Sequence, residues 1–300
     1  MQHGALRGLR SAPHVIVVGS GKGGSGKTTL AMHVAIGLLR AGQRVGTLDL
    51  DADQRGLTRY LEARERWACH RRIDLALPQR DEIGAAEGAR IDEIEAREVE
   101  RLQQAIERLE PSCDFLVIDT PSHDSYLTRV AHLIADSILT PLRDSFLDLL
   151  ALGLIDPLTQ EVTRTGHYAH AVGAARKWRR QLDPGFIDWV VIVNCACDPP
   201  LVTPRLADLA MRLGFRDAGG CAERAIYRRF FPFGLTAFDP LGEIVPGTFP
   251  DESQLAAQQE MGALMDRLHL PVNDRGVRRA AARAEWLRCK DKPLVLEEVC

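Results

Sequence analysis

Gly21-Lys22-Gly23-Gly24-Ser25-Gly26-Lys27-Thr28-Thr29 follows an apolar run, Val15 to Val18, and opens a helix-like stretch from Leu30 to Leu39. Four glycines let the backbone turn tightly enough to aim several N–H groups at one anion. Lys27 then supplies a point charge for the β- and γ-phosphates of a nucleotide, and the Thr28 hydroxyl offers a ligand to Mg²⁺. The helix that starts here adds its positive dipole end and its free amides. A strand before, a helix after and the Gly-Lys-Thr ending together predict that residues 21–29 cradle a nucleotide.

Lys22 is the less ordinary residue. A loop of this kind needs only the lysine at the helix start, and a second one at its front has no phosphate to reach locally; it is either a solvated loop lysine or placed to meet a nucleotide held by another subunit. Through Lys22 to Thr28 the sequence resembles the deviant Walker A family of P-loop ATPases, the ParA and MinD group, whose KGGxGKT pattern these residues match. The resemblance implies that Lys22 crosses a dimer interface and contacts the neighbouring subunit's ATP.

Bulk composition narrows the class. The 300 residues are 45% apolar and 26% charged, ordinary for a globular protein. The net charge of −3 excludes a chain basic throughout, so any nucleic-acid surface must be a local patch. Seven cysteines, odd in number and without a Cys-x-x-Cys pair, argue against a disulfide framework. The close pair Cys195 and Cys197 at a strand end reads as small apolar filling, which also disfavours the iron–sulfur members of the superfamily. No stretch approaches the roughly 18 uncharged apolar residues of a membrane span, and the N-terminus lacks a leader pattern. The expectation is a cytoplasmic protein with no membrane partner.

Two more apolar runs end in carboxylates. Val45 to Leu50 leads into Asp49-Leu50-Asp51-Ala52-Asp53-Gln54, acidic residues at the C-terminal edge of a parallel strand, where open α/β sheets bind ligands. Buried carboxylates beside phosphate make sense only next to a cation, although capping of the following helix is the alternative. Within the resemblance this is the switch region DxDxxQ, in which Asp51 orients the attacking water and Asp49 sits nearer the Mg²⁺ shell. Phe115 to Ile118 followed by Asp119-Thr120-Pro121 has the form of a strand buried on both faces. Asp119 reads as the Walker B carboxylate, holding Mg²⁺ through water. His123, just after, reads as a surface histidine on a turn rather than a catalytic one.

Between Asp81 and Asp114, eleven acidic residues surround Ile91, Ile94, Val99, Leu102, Ile106 and Leu109, a pattern that predicts an amphipathic helix with an acidic outer face. From Arg164 to Leu182 the sign reverses, and Arg176, Lys177, Arg179 and Arg180 form the candidate DNA patch. A basic face that only solvates the helix is the alternative. Ser145 and Asp148 look like a helix N-cap. Asn194 closes the strand from Phe186 to Val193, either to meet the adenine edge, as the resemblance implies, or to form a turn. Phe231 and Pro232 belong to an aromatic stretch suited to wall the adenine or to fill core.

The segment TPLRDSFLDLLALGLIDPLT, residues 140–159, and the stretch from Arg224 to Thr236 are similar to one branch of the family, the MipZ-type regulators of bacterial division-plane position. One departure stands out: after Asn194 that branch carries a longer Arg-rich helix, whereas here only Arg205 and Arg212 follow.

Short apolar strands, four or five of them, each followed by a helical segment, predict an α/β P-loop NTPase fold with a mostly parallel twisted sheet and helices on both faces. Residues 1–13 are expected to be a flexible extension, 14–270 the ATPase domain and 271–300 a basic tail or surface helix. The resemblance implies ATP and Mg²⁺ as cofactors, a homodimer closed by ATP, nonspecific chromosomal DNA, a ParB-type protein and FtsZ as partners, and association with the nucleoid. The alternatives are a ParA-type partition ATPase, which shares every one of these site residues, a P-loop biosynthetic ligase, which needs no lysine in trans, and a scaffold that binds ATP without hydrolysing it.

Overall fold

His14–Val18 form β1, every residue of it buried, at the middle of a parallel sheet. The structure is a computed structural model and describes residues 12–84, 86–156, 162–182, 185–197, 200–239 and 252–271. After β1 the chain runs through α1 (Lys27–Arg40), β2 (Val45–Asp49), α2 (Gly56–Arg71), β3 (Gln79–Glu82), α3 (Ile91–Leu109) and β4 (Phe115–Asp119). It continues with α4 (Tyr126–Ile134), β5 (Ser137–Arg143), the short α5 (Phe146–Leu149), β6 (Gly153–Ile155), β7 (Val162–Thr165) and α6 (His167–Leu182). Then follow β8 (Asp188–Ala196), α7 (Thr203–Leu213), β9 (Arg216–Ala222), α8 (Ala225–Phe230) and α9 (Glu252–Leu268).

Seven strands pair in the order β3-β2-β4-β1-β5-β8-β9, all parallel, while β6 and β7 make a separate antiparallel pair. The chain leaves β1 toward β2 on one side and β4 toward β5 on the other, so the crevice of the topological switch point opens at the C-terminal ends of β1 and β4. Side chains alternate across each strand. Val15 and Val17 join a core with Leu116 and Ile118 under α3, α4 and α6; Ile16 and Val18 join a second core with Val117 and Leu139 under α1, α2 and α9. Burial on both faces is why these strands are continuously apolar.

The expectation of four or five strands falls short by the two edges. β3 reads Gln-Arg-Asp-Glu and is mostly exposed, and β9 contains Gly219 and Gly220, so neither shows an apolar run. The acidic helix forms as α3, burying Leu102, Ala105, Ile106 and Leu109, while Ile91 at its start is 76% exposed. Ala12 and Pro13 are buried, not part of a loose extension; residues 1–11 and the basic tail from 272 lie outside the described residues.

One buried ion pair ties distant parts of the fold together. Arg64 of α2 donates through Nη1 and Nη2 to both carboxylate oxygens of Asp239 at 2.8 Å, and through Nη1 to the Gly234 carbonyl at 2.9 Å. Its Nε donates to the Ala76 carbonyl at 2.8 Å. All three guanidinium nitrogens thereby donate to an oxygen, which is the condition for keeping a charge there.

Candidate nucleotide site

The loop between β1 and α1 is tight because two of its residues, Gly24 and Gly26, take φ of +75° and +95°, open to glycine and strained for other residues. Gly26 also caps α1, and Leu30 N–H bonds to its carbonyl at 2.9 Å. Inside the loop Ser20 Oγ donates to the Lys22 carbonyl at 2.8 Å and lies 2.7 Å from Ser25 Oγ. Lys27 folds back into this ring, its Nζ 3.3 Å from both Ser20 Oγ and the Lys22 carbonyl. Burial pushes the Lys27 ammonium below its ordinary pKa, opposed by the charges of Asp119 and Asp51. Its charge is held against the Ser20 hydroxyl and the Lys22 carbonyl.

Carboxylates converge on the same point from the ends of β2 and β4. Thr28 Oγ1 donates to Asp119 Oδ2 at 2.6 Å, and the buried Asp119 Oδ1 has no hydrogen-bond partner among the described residues. Burial lifts the Asp119 carboxyl to about 7, with the Thr28 hydrogen bond and Lys27 opposing and Asp49 and Asp51 adding repulsion. A divalent cation answers both the orphaned oxygen and the crowding of negative charge. No three His, Cys, Asp or Glu among the described residues make a cage by themselves, which suits Mg²⁺, an ion that keeps waters and phosphate oxygens as ligands. The residues present fit it.

Asp49 and Asp51 differ in how they are held. Asp49 is buried, accepting the Asp51 N–H at 3.0 Å and the Thr58 N–H at 2.9 Å, so it serves α2 as well as the site. Asp51 is half-buried and accepts the Gln54 N–H at 3.0 Å within the turn before α2, whose N-cap is Arg55 and carries no side-chain cap, so Asp51 does not cap that helix. Arg55 follows at φ +48°, and an added Gly56 Cβ would stand 3.0 Å from Thr28 Oγ1, so the start of α2 is pressed against Thr28. After β4, Ser122 and His123 are exposed; His123 lies on that turn.

Beside the loop a cleft of about 410 Å³ runs past Gly24, Thr29, Pro141, Asn194, Tyr227 and Phe231. Asn194 Nδ2 donates to the Ser25 carbonyl at 2.8 Å, and its Oδ1 accepts the Cys195 N–H at 3.0 Å. Asn194 therefore links the cleft to the phosphate loop. Phe231 lines the cleft and packs edge-on against Tyr60, ring centroids 4.9 Å apart. Pro232 is exposed on the neighbouring turn and is not among the residues lining it.

Lys22 is not a free loop lysine. Its Nζ donates to Asp148 Oδ1 at 2.6 Å, while Asp148 Oδ2 accepts the Arg143 N–H at 3.2 Å. The N-cap reading of this segment holds for Ser145, whose Oγ accepts the Leu147 N–H, but Asp148 is a buried partner of Lys22. Sequence reasoning missed it; the only signal was an acidic residue in a segment otherwise apolar.

The basic patch on α6 needs correction. Arg179 is 3% exposed, donates to the carbonyls of Leu133 and Ala135 and pairs with Asp136 at 3.1 Å. Arg176 donates to the carbonyls of Leu213 and Gly214 and stacks over Phe186 at 5.0 Å. Both hold helices together, and of the four expected DNA contacts only Lys177 and Arg180 are exposed.

Comparison with known proteins gives a consistent picture. The family described as ATPase MipZ matches residues 14–272. Septum site-determining protein MinD of Synechocystis sp. is 34% identical over 122 residues, 36% of this chain and 45% of that protein. The cytosolic Fe-S cluster assembly factor NUBP2 homolog of Nematostella vectensis is 32% identical over 142 residues, 42% of this chain and 52% of that protein. The chain thus spans about half the length, or less, of these curated relatives. Among solved structures, an ATP complex of McdA from Cyanothece superposes with a TM-score of 0.56 at 17% identity, covering 87% of this chain and 98% of that one. The MinD–Mg-ADP complex of Pyrococcus horikoshii superposes with a TM-score of 0.54 at 15% identity, covering 86% and 96%. At these identities the structures speak for the fold.

Proposed function

The chain belongs to the MipZ ATPase family, and from that premise we propose a Mg²⁺-dependent ATP hydrolase whose two copies close around nucleotide and act as a switch that positions the bacterial division plane. The observation that supports this reading best is the meeting of Lys27, Thr28 and the half-satisfied Asp119 at the ends of β1 and β4.

The loop amides of residues 21–29 and Lys27 bind the β- and γ-phosphates, and Asn194 with Phe231 borders the adenine. Thr28 and Asp119 hold Mg²⁺, with Asp49 behind them. When bound, that ion neutralises the charge spread over the phosphate oxygens. Asp51 orients a water in line with the γ-phosphate; the new bond forms from the water oxygen to phosphorus as the bond to the β-phosphate oxygen breaks, releasing ADP and phosphate. Lys22 leaves Asp148 and reaches the triphosphate of the opposite subunit. Nucleotide and association are then coupled, because ATP adds contacts available only to the closed pair.

Downstream of this switch stand FtsZ, a ParB-type protein and nonspecific DNA. Two experiments test the reading. Sizing of Asp51→Ala with and without Mg-ATP should give a larger species only with nucleotide, and turnover of mixed Lys22→Ala and Asp51→Ala subunits should reveal an effect between subunits; hydrolysis independent of dilution and of Lys22 refutes the switch. Added to polymerising FtsZ, the ATP-bound protein should reduce polymer; no reduction points instead to a partition ATPase of the ParA type.

A further inference from the structure

A second groove, of about 740 Å³ and larger than the nucleotide cleft, lies where α4, β6, β7 and α6 meet. Its floor is apolar. Leu150 and Leu154 are each 43% exposed there, Leu133 and Trp178 continue the strip, and Ala171 and Ala174 keep the α6 wall low. Exposed leucines gathered in one concavity, instead of scattered singly, mark a surface that is covered in use.

The rim is one-sided in charge. Its carboxylate, Asp124, is already taken by a forked pair with Arg129, Nη2 to Oδ2 at 2.5 Å. What remains is Arg164, exposed and in no ion pair among the described residues, with His167 and His170 beside it. The packed helices α4 and α6 both line it, and the concavity over their junction accepts a third helix by ridge-into-groove packing.

We infer that this groove receives an acidic amphipathic helix from a partner protein, leucine-type side chains on the floor and carboxylates against Arg164 and the two histidines. Nucleic acid has no use for a leucine floor, and a second copy of this groove would bring like charge to like charge. The site backs onto the phosphate loop: His167 Nε2 lies 2.9 Å from where a Gly21 Cβ would be, so the groove wall touches the front of that loop. The inference does not rest on the ATPase reading, since docking and phosphate release are separate measurements.

The test uses the full chain and a fluorescein-labelled peptide of about 18 residues with leucines at helical i, i+4, i+7 spacing and glutamates flanking them. Anisotropy should give binding about tenfold tighter than for a shuffled peptide or one with lysine in place of glutamate. Ala174→Trp, which fills the groove, and Arg164→Glu, which reverses its charge, should each weaken binding by about tenfold while ATP turnover and the unfolding midpoint stay as in the wild type. Leu154→Ser provides the same loss should the tryptophan variant fail to fold. Equal binding of the shuffled peptide, indifference to all three substitutions, or displacement of the peptide by short duplex DNA that itself loses affinity on Ala174→Trp would overturn the inference.

Discussion

Lys22 Nζ meets Asp148 Oδ1 at 2.6 Å, joining the front of the phosphate loop to a carboxylate 126 residues further along the chain. The lysine is 47% exposed and the aspartate 2%, so the pair has a wet side and a dry side. Lys22→Ala strands a buried carboxylate and should cost about 1–2 kcal/mol in the ATP-free protein. Because water screens the lysine, the coupling measured in a cycle with Asp148→Asn should be only about 0.5–1 kcal/mol. Urea unfolding of the four proteins measures it, and a coupling of zero means the pair does not form in solution.

Gly26→Ala tests the loop geometry. The residue holds φ +95°, and a Cβ there would collide with the Asn194 side-chain amide. Strain of about 1–3 kcal/mol is expected, with nucleotide affinity reduced by about tenfold or more. Asn194→Ala in the same protein removes the collision and leaves the φ strain, so the loss of stability, read from urea midpoints against Asn194→Ala alone, should recover only in part. Full recovery would show that backbone strain contributes nothing.

On α6, DNA affinity and fold stability should separate by residue. Arg179→Ala leaves Asp136 buried without its guanidinium and should destabilise by about 3–5 kcal/mol. Lys177→Glu with Arg180→Glu should leave the unfolding midpoint unchanged and weaken DNA binding across all sequences, with a flatter dependence on salt. Filter binding at several salt concentrations reads the second effect; an unchanged salt slope would place the DNA surface elsewhere.

Stability should fall on acidification through His33. Nδ1–H donates to the Thr29 carbonyl at 2.7 Å and Nε2 accepts the Ala237 N–H at 3.1 Å, an arrangement open only to the neutral ring. Burial lowers its pKa from 6.5 to about 4. Between these values the unfolded chain binds the proton and the folded one does not, so stability drops as pH falls from 6.5 toward 4 and levels off below. His132, also buried and held at about 4, adds in the same direction. His33→Gln should reduce the slope near pH 5 by about 1 kcal/mol per pH unit, read from urea midpoints. An identical slope in the variant would show that the ring titrates normally in the folded state.

The centre of the fold was legible because physical demands there are local. β1 and β4 must be apolar on both faces, and the phosphate loop must carry glycine where φ is positive, so residues 14–29 and 115–119 announce themselves. β3 and β9 did not, since an edge strand satisfies only half its backbone bonds and tolerates Gln79 or Gly219. Arg179 carried a readable signal that its charge masked: Tyr168, Val172, Ala175 and Arg179 follow at i, i+4, i+7 and i+11, so helical periodicity alone puts this arginine on the buried face. Lys22–Asp148 is of another kind. No pattern within a short window relates them, and only the assembled sheet brings α5 to the loop.

The Arg64 clasp has a mechanical corollary. By pinning α2 at its middle to Gly234, Asp239 and Ala76, it denies that helix the freedom to swing as a lever. What can still give is the short elbow from Asp51 to Arg55, already twisted into a left-handed residue at its end. In the switch proposed above, the response to a triphosphate would then be a local rewinding of a few peptide planes between Asp51 and Arg55, with the body behind it standing still like an anvil.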